Sequence, residues 1–137
     1  MKRVLTVGVF DMLHIGHILL FQHAKELCGE NCELIVAVQD GDCILKYKPG
    51  TNMIYTTEER LYMVSSIKWV DKVCVYRDVD IDIKNMDFDI FAKGPDQCHE
   101  GFQRAVEWCK ANGKEVLVVP RTDGISSTLL RNYNKTK

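Results

Sequence analysis

The sequence has no marked excess of charge of either sign and no long apolar run. Its 18 basic and 19 acidic residues give a formal net charge of -1. This balance argues against a nucleic acid or an acidic membrane as partner, because both are usually bound by a basic face. No apolar stretch approaches the roughly 20 residues that cross a bilayer. Met1-Lys2-Arg3 and the apolar run after it only faintly imitate a signal peptide, since the run stops at Asp11 with no cleavage site.

Cysteine pairs with the spacing of a zinc or redox motif are also lacking. The six cysteines include no Cys-x-x-Cys and lie within apolar segments. Cys28 and Cys32 are four residues apart, but Gly29 and Asn31 predict that a helix ends between them. A metal site built from this pair and a histidine is therefore disfavoured. The cysteines are predicted to be reduced, mostly buried thiols of a cytoplasmic protein.

The chain contains neither internal repeats nor a low-complexity linker, so the 137 residues, 1–137, are predicted to form a single domain. Short apolar runs alternate with helical patterns, which predicts right-handed crossovers and an α/β fold with a doubly wound, parallel, five-stranded sheet. The predicted strands are 4–9, 32–38, 72–76, 89–92 and 115–119. The predicted helices are 18–28, 57–67, about 100–111 and one that begins near 126, with a loop over 39–55.

The most informative segment is Gly8–His17, which joins the first predicted strand to the first predicted helix. Unpaired backbone N–H groups and the helix dipole favour an anion at such a junction. His14 and His17 add imidazole donors for phosphate oxygens, and Gly16 lets the backbone approach a ligand closely. The alternative is a pair of packed, hydrogen-bonded loop histidines. We interpret the segment as a phosphate site.

A second segment, 121–128, follows the fifth predicted strand and combines an arginine, a glycine and several hydroxyl side chains. Arg121 can bind phosphate oxygens in a bidentate manner, and Ser126, Ser127 or Thr128 can donate from the first turn of a helix. An ordinary capped helix is the alternative. Both segments follow strands of one parallel sheet and are therefore expected at the same edge, where two phosphate sites suit a nucleoside triphosphate.

The segments 8–17 and 121–128 together resemble those of the cytidylyltransferase-like nucleotidyltransferases, most of all the branch that acts on glycerol 3-phosphate. Glu59-Arg60 followed by Trp69-Val70-Asp71-Lys72-Val73 resembles a third motif of the family, and the resemblance covers roughly residues 4–131. It implies a Rossmann-like fold, usually a homodimer, that couples a nucleoside triphosphate to a phosphorylated small molecule and releases pyrophosphate. Such chemistry calls for a divalent cation, expected to be Mg²⁺, held mainly by the triphosphate rather than by protein ligands.

The resemblance also implies roles for individual residues. His14 and His17 would stabilise the charge on the departing pyrophosphate, together with a lysine near the reacting phosphates, Lys46 or else Lys48. Arg121 would hold the β- and γ-phosphates. The other residues assigned to the nucleotide are Val9, Phe10, Asp11, Gly16, Asp96, Ser126, Ser127 and Thr128. Those assigned to the acceptor are Asp40, Asp42 and Arg60, of which Arg60 is also a candidate for the triphosphate and the two aspartates could be turn residues.

Two segments depart from the family pattern. Gly94-Pro95-Asp96-Gln97 stands where the glycerol-3-phosphate branch has Gly-Asp-Asp-Trp, beside the base pocket. Either the base selectivity differs or this loop makes no base contact. Gln39-Asp40-Gly41-Asp42 replaces a Ser-x-Asp-like turn. The loop 47–52 that follows is interpreted either as a mobile lid or as an ordinary solvated loop.

The sequence therefore predicts a cytoplasmic, Mg²⁺-dependent enzyme that transfers CMP from CTP to a small phosphorylated alcohol, with glycerol 3-phosphate favoured. The alternatives are an adenylyltransferase that uses ATP, similar to FAD synthetases, and a catalytically silent nucleotide-binding module. The silent module is disfavoured because the charged residues His14, His17, Lys46, Arg60 and Arg121 are all present. A homodimer is expected, and no nucleic-acid or membrane partner.

Overall fold

Five parallel strands form the central sheet, and helices cover both of its faces. The computed structural model describes residues 1–120. The strand order is β3-β2-β1-β4-β5, so the five-stranded, doubly wound parallel sheet predicted from the sequence is confirmed. The strands are β1 (Lys2–Gly8), β2 (Cys32–Gln39), β3 (Lys72–Tyr76), β4 (Ile90–Lys93) and β5 (Glu115–Val118).

The helices between the strands include two that the sequence did not predict. Across residues 1–120 the helices are α1 (Ile15–Cys28), α2 (Gly41–Tyr47), α3 (Thr57–Ser65), α4 (Val79–Asp82) and α5 (Glu100–Ala111), and a 3₁₀ turn, Ile83–Asn85, continues α4. The predicted loop over 39–55 thus contains α2, and α4 was missed. Both are too short to show a helical period and depend on packing rather than propensity. Within the same residues no helix is long and apolar enough to span a bilayer.

The buried side chains form one layer on each face of the sheet. One layer lies under α1 and α3, and the other lies under α4 and α5. Successive residues of β1 alternate between them: Val4 belongs to the first layer and Leu5 to the second, and both are fully buried. This position at the centre of the sheet explains why β1 is a nearly continuous apolar run.

Asp71 links three elements on the face covered by α1 and α3. Its Oδ2 accepts hydrogen bonds from the backbone N–H of Leu34 and from Nζ of Lys25, each at 2.8 Å. Trp69 and Val70, which precede it, pack against the buried layer on this face. The Trp-Val-Asp part of the third motif therefore has a structural role: it ties α1 and β2 to the start of β3.

The prediction that all six cysteines are reduced is wrong for two of them. Cys28 and Cys32 form a disulfide across the turn between α1 and β2, with their Cα atoms 5.9 Å apart. Gly29 and Asn31 have φ angles of 100° and 55°, so the chain reverses tightly between the two cysteines. The helix ends after Cys28 as predicted, but this ending brings the two sulfurs together. Cys43, Cys74, Cys98 and Cys109 are free thiols.

Candidate active site

The carboxyl ends of the strands and the loops that follow them share one edge of the sheet. The chain runs from β1 outward to β2 and β3 on one side and later to β4 and β5 on the other. The crevice between β1 and β4 is therefore a topological switch point, the usual position of a ligand in an open parallel sheet. The loop from Val9 to His14 leaves β1 at this crevice.

His14 is the N-cap residue of α1, so the histidine motif forms the first turn of the helix. Nδ1 of His14 accepts a hydrogen bond from the backbone N–H of Gly16 at 3.0 Å. The backbone N–H of His14 donates to Nδ1 of His17 at 3.2 Å. The two imidazoles thus replace the side chains that usually form a capping box. The helix begins at Ile15 rather than at residue 18 because the motif supplies its own cap.

The two imidazoles use the same ring nitrogen, Nδ1, as an acceptor within the cap. Both Nδ1 atoms accept backbone hydrogen bonds, so each neutral ring carries its proton on Nε2. The rings stack with their centroids 4.0 Å apart, and Phe10 meets His17 edge-on at 5.4 Å. Burial and, to a smaller extent, the neighbouring His14 lower the pKa of His17 to about 4. His17 is therefore neutral near pH 7, so its ring carries an N–H group and no positive charge.

Phe10 supports this arrangement through an unusual backbone conformation. Its φ angle of 54° turns the buried ring back over Gly8. A Cβ atom on Gly8 would lie 2.7 Å from that ring, so a larger residue at this position would displace it. The ring also packs against Phe21 of α1, with centroids 5.2 Å apart. The Phe10 side chain therefore buttresses His17 from the protein interior.

Arg60 is completely buried and joins the carboxyl ends of β1 and β2. Its NH1 donates to the carbonyl oxygens of Val9 at 2.9 Å and Gln39 at 2.7 Å, and NH2 donates to Oγ1 of Thr57 at 3.2 Å. Burial lowers the pKa of the guanidinium, and nearby carboxylates partly oppose this effect. In residues 1–120, Nε has no hydrogen-bond partner. Arg60 therefore lies beneath the site and holds two strand ends together.

Asp11 connects the β1–α1 loop to the segment before α3. Its carboxylate accepts hydrogen bonds from the backbone N–H groups of Ile54 and Tyr55, each at 2.9 Å. Thr56 follows as the N-cap of α3 and forms a capping box with Glu59. The side chain assigned to the nucleotide by resemblance thus fastens the end of the long α2–α3 loop to the histidine loop.

Contacts at both ends of α2 fasten it to the loop after β3. Asp40, the N-cap of α2, pairs with Arg77 at 2.5 Å. At the other end of the helix, the hydroxyl of Tyr47 donates to Asp78 at 2.5 Å. Arg77 and Asp78 were missed by sequence reasoning, although their place directly after a predicted strand was a usable signal.

The lysine candidates lie at the end of α2 and not within an irregular loop. Lys46 is exposed in the last turn, with Nζ 5.6 Å from the centroid of the Tyr47 ring, and Lys48 is the C-cap residue. Asp42 is exposed in the first turn of the same helix. The aspartates assigned to the acceptor thus lie at the amino end of α2, and the lysines assigned to the phosphates lie at its carboxyl end.

The turn between β4 and α5 crosses the crevice at the switch point. Nε2 of Gln97 donates to the carbonyl oxygen of Val7 at 2.7 Å, and its Oε1 accepts from the backbone N–H of Gly94 at 3.1 Å. Nζ of Lys93 donates to the carbonyl oxygen of Gln97 at 2.8 Å. Asp96 is exposed in this turn. The sequence did not indicate Lys93 as a site residue either, because it belongs to no recognisable motif.

Four of the predicted site residues, Arg121, Ser126, Ser127 and Thr128, lie outside the described residues. The structure brings His14, His17 and the turn at Gln97 to the same crevice, and it places Lys46, Asp40 and Asp42 on α2 after the neighbouring strand. Nowhere in residues 1–120 do three His, Cys, Asp or Glu side chains converge as metal ligands.

Comparison with known proteins identifies the family. A family model described as cytidylyltransferase-like matches residues 5–133, from β1 to beyond the segment 121–128. The chain belongs to this family. Its members and curated relatives are nucleotidyltransferases, and the chain is therefore an enzyme of this kind.

The relatives divide between two names. The chain is 36% identical to the glycerol-3-phosphate cytidylyltransferase of Staphylococcus aureus over 135 residues, 96% of this chain and 93% of the relative. It is 39% identical to the FAD synthase of Methanopyrus kandleri over 98 residues, which span 70% of this chain and 64% of that enzyme. The FAD synthase of Korarchaeum cryptofilum is 33% identical over 137 residues, 98% of this chain and 92% of the relative.

Solved structures support the same fold. The lipopolysaccharide core biosynthesis protein of Thermoplasma volcanium superposes with a TM-score of 0.68 at 28% identity, covering 89% of this chain and 97% of that one. The pantothenate synthetase of Thermus thermophilus has a TM-score of 0.60 at 15% identity, covering 95% and 60%, and shares the fold alone.

Proposed function

We propose that the enzyme transfers CMP from CTP to the phosphate of a small phosphorylated alcohol, with glycerol 3-phosphate as the leading acceptor. The observation that carries the proposal is the pair of stacked imidazoles that cap α1 at the switch point. The near full-length similarity to a glycerol-3-phosphate cytidylyltransferase supports the choice of substrates. A second candidate pair, ATP with FMN, is favoured by the similarity to FAD synthases.

The reaction needs positioning and charge stabilisation more than it needs a base. The acceptor phosphate is already an anionic nucleophile. One of its oxygens forms a bond to the α-phosphorus, while the bond from the α-phosphorus to the bridging oxygen breaks and its electron pair leaves with pyrophosphate. The barrier is set by bringing two anions together and by the charge that builds on the leaving group.

The described residues supply donors for that charge. We expect the Nε2–H groups of His14 and His17 and the amino end of α1 to contact the same anion, and the backbone hydrogen bonds to both Nδ1 atoms hold the two rings in place. Lys46 or Lys48 is expected to add positive charge from the end of α2, and Arg121 from the segment after β5. Neutral imidazoles fit phosphate oxygens, and Mg²⁺ carried by the triphosphate would neutralise part of the remaining charge.

The proposal includes a homodimer that works on small molecules. The deciding experiment is pyrophosphate release by the purified protein with Mg²⁺, CTP or ATP, and a panel of phosphorylated alcohols and FMN. Release only with CTP and glycerol 3-phosphate supports the leading pair. Release with ATP and FMN supports the second candidate pair. If no pair of substrates gives pyrophosphate, both candidate functions are contradicted.

A further inference from the structure

The carboxyl end of α2, which carries both lysine candidates, is tethered on the side of the sheet away from the crevice. We propose that Tyr47 is a positioning residue: its bond to Asp78 holds Lys46 and Lys48 back, and release of this bond brings a lysine to the phosphates of a bound nucleotide. The inference rests on the proposed function, because it takes a nucleoside triphosphate as the ligand.

The amino end of α2 is fixed by contacts with the neighbouring elements. The backbone N–H of Asp40 donates to the carbonyl oxygen of Tyr76, the last residue of β3, at 2.8 Å. The backbone N–H of Gly41 donates to Oγ1 of Thr57, the first residue of α3, at 2.9 Å. Cys43 is buried under the first half of the helix. This end of α2 therefore serves as a fixed point about which the other end can turn.

The carboxyl end of α2 is tethered by a polar contact at the surface. The hydroxyl of Tyr47 donates to Oδ1 of Asp78 at 2.5 Å, and the tyrosine is 59% exposed. Thr51 closes a local turn onto the carbonyl oxygen of Lys48. A hydrogen bond at the surface exchanges readily with bonds to water, so this tether is broken at small cost.

The acceptor of the tether has a fixed position and keeps the hydroxyl protonated. Asp78 is the N-cap residue of α4, and Asp80 of the same helix pairs with Arg104 of α5 at 2.8 Å. The hydrogen bond to Asp78, and then the negative charges of Asp78 and Asp80, raise the pKa of the Tyr47 hydroxyl above its usual value. The hydroxyl therefore remains a donor at neutral pH.

The tether pulls the lysines away from the position expected for the phosphates. Asp78 follows β3, which is two strands from β1 in the sheet, and His14 follows β1. Lys46 and Lys48 are therefore held toward β3 while the histidine motif lies at the crevice. Since the amino end of α2 is fixed, release of the tether allows the carboxyl end to turn toward the crevice, where anionic phosphates attract it.

The segment after α2 is long enough to allow this movement. It leads back to the crevice side, where Asp11 accepts a hydrogen bond from the N–H of Ile54. The six residues 48–53 can span up to about 20 Å, whereas two strand spacings cover about 10 Å. The segment thus has slack, and a shift of the α2 end does not require Asp11 to release Ile54.

The test measures nucleotide affinity in variants that lack the tether. Tyr47→Phe removes the donor and leaves the charge unchanged, and Asp78→Ala removes the acceptor. CTP and ATP are titrated calorimetrically with Mg²⁺ into each protein, and the titrations are repeated with Lys46→Ala and Lys48→Ala introduced together. Tyr62→Phe is the matched control, because this tyrosine of α3 is 75% exposed and lies on a different helix. Thermal unfolding checks that each variant folds.

Both tether variants should bind the nucleotide about fivefold more tightly than the wild type, which must break the tether on binding. Tyr47→Phe combined with Asp78→Ala should give no further gain than the tighter of the two, because both changes break the same bond. The gain should disappear when Lys46 and Lys48 are alanine. Loss of a merely structural contact would not tighten binding, so a gain that depends on the lysines identifies a positioning role.

Two results would overturn the inference while pyrophosphate release leaves the proposed function standing: an unchanged or lower affinity in Tyr47→Phe, or a gain that persists without the two lysines. A gain that depends on the lysines, in a protein that releases no pyrophosphate with any substrate pair, would support the inference and contradict the proposed function alone. If neither nucleotide binds to any of these proteins, both are contradicted.

Discussion

His14 and His17 stack with their ring centroids 4.0 Å apart, and each ring accepts a backbone hydrogen bond through Nδ1. The acceptor edge of each imidazole is therefore used by the protein, and each neutral ring carries its proton on Nε2. The pair caps α1 and is proposed to donate to the leaving pyrophosphate, which accounts for two histidines around the glycine at the start of this helix.

Replacement of His17 should impair turnover without unfolding the protein. The loss of one preorganised donor to the leaving group commonly reduces kcat by about a hundredfold, or ~3 kcal/mol. His17→Ala is compared with His23→Ala, which changes a histidine further along the same helix. Steady-state pyrophosphate release gives kcat, and circular dichroism checks the fold. Wild-type turnover in a folded His17→Ala protein would contradict the assignment.

The lowered pKa of His17 predicts a pH dependence of stability with a definite sign. The folded-state pKa of about 4 lies below the ordinary histidine pKa of 6.5. Between these two values the unfolded chain binds a proton that the folded chain does not, so stability increases with pH and the gain is complete above about 6.5. Urea unfolding is measured for the wild type and His17→Gln at pH 7.5 and pH 4.5. The free energy of unfolding should fall more for the wild type than for the variant as the pH is lowered. An equal decrease of the free energy of unfolding in both proteins would show that His17 does not cause the pH dependence.

Asp71 should make a small contribution to stability that disappears in acid. Burial raises the pKa of this carboxyl, but the hydrogen bonds from Lys25 and from the Leu34 N–H outweigh it and leave the pKa lowered. The contribution is present above the unfolded pKa and is lost as pH falls through the folded one. Because the pair is partly exposed, Asp71→Asn should cost only about 1 kcal/mol at pH 7. Thermal unfolding at a series of pH values from 7 downward checks that the difference between the two proteins decreases as the pH falls.

Reduction of the Cys28–Cys32 disulfide should destabilise the protein and leave the active site intact. Loop-closure entropy for such a short loop predicts a loss of about 2 kcal/mol. The bond lies at the carboxyl end of α1, the opposite end from His14, so kcat should not change. Urea unfolding with and without dithiothreitol gives the difference, with Cys98→Ser as control. A titration that finds six free thiols in the unreduced protein, instead of four, would disprove the bond.

Removal of the Asp11 carboxylate should release the segment that precedes α3. Asp11→Ala leaves the N–H groups of Ile54 and Tyr55 without their acceptor. Hydrogen exchange at these two amides should accelerate by at least about tenfold, and the KM for the nucleotide should rise. Asp87→Ala, an exposed aspartate at the opposite end of the sheet, is the control. Unchanged exchange at residues 54 and 55 would show that another contact holds the segment.

The strands were predictable because most are short, buried and bounded by polar residues, and β1 is the clearest case. The position of the histidine segment at a strand–helix junction was predictable because its residues are contiguous and lie between an apolar run and a helical pattern. Helix α2 could not be predicted, because only two of its seven side chains, Cys43 and Ile44, are buried. Its position depends on Arg77 and Asp78, which are distant in sequence.

Other features of the site depend on tertiary geometry that no local pattern contains. The sequence shows Arg60 as an arginine on a helix, and only the meeting of two strand ends buries it completely. Gln97 appears as a departure from a motif, and its role depends on a carbonyl group 90 residues away. The disulfide follows from the backbone angles at Gly29 and Asn31, which the sequence indicates only as a helix end.

The distance along the chain between β1 and β4 also has a consequence for the order of folding. β1 can pair with β2 once about thirty further residues are available, since Lys2 pairs with Cys32, but its other edge waits for Ile90 and, at Val7, for Gln97. Contacts of such long range close slowly, because the intervening chain must first lose its conformational freedom. During synthesis one edge of the central strand therefore stays uncovered until most of the chain has emerged. The crevice that is proposed to hold the nucleotide is therefore expected to be among the last parts of the molecule to form.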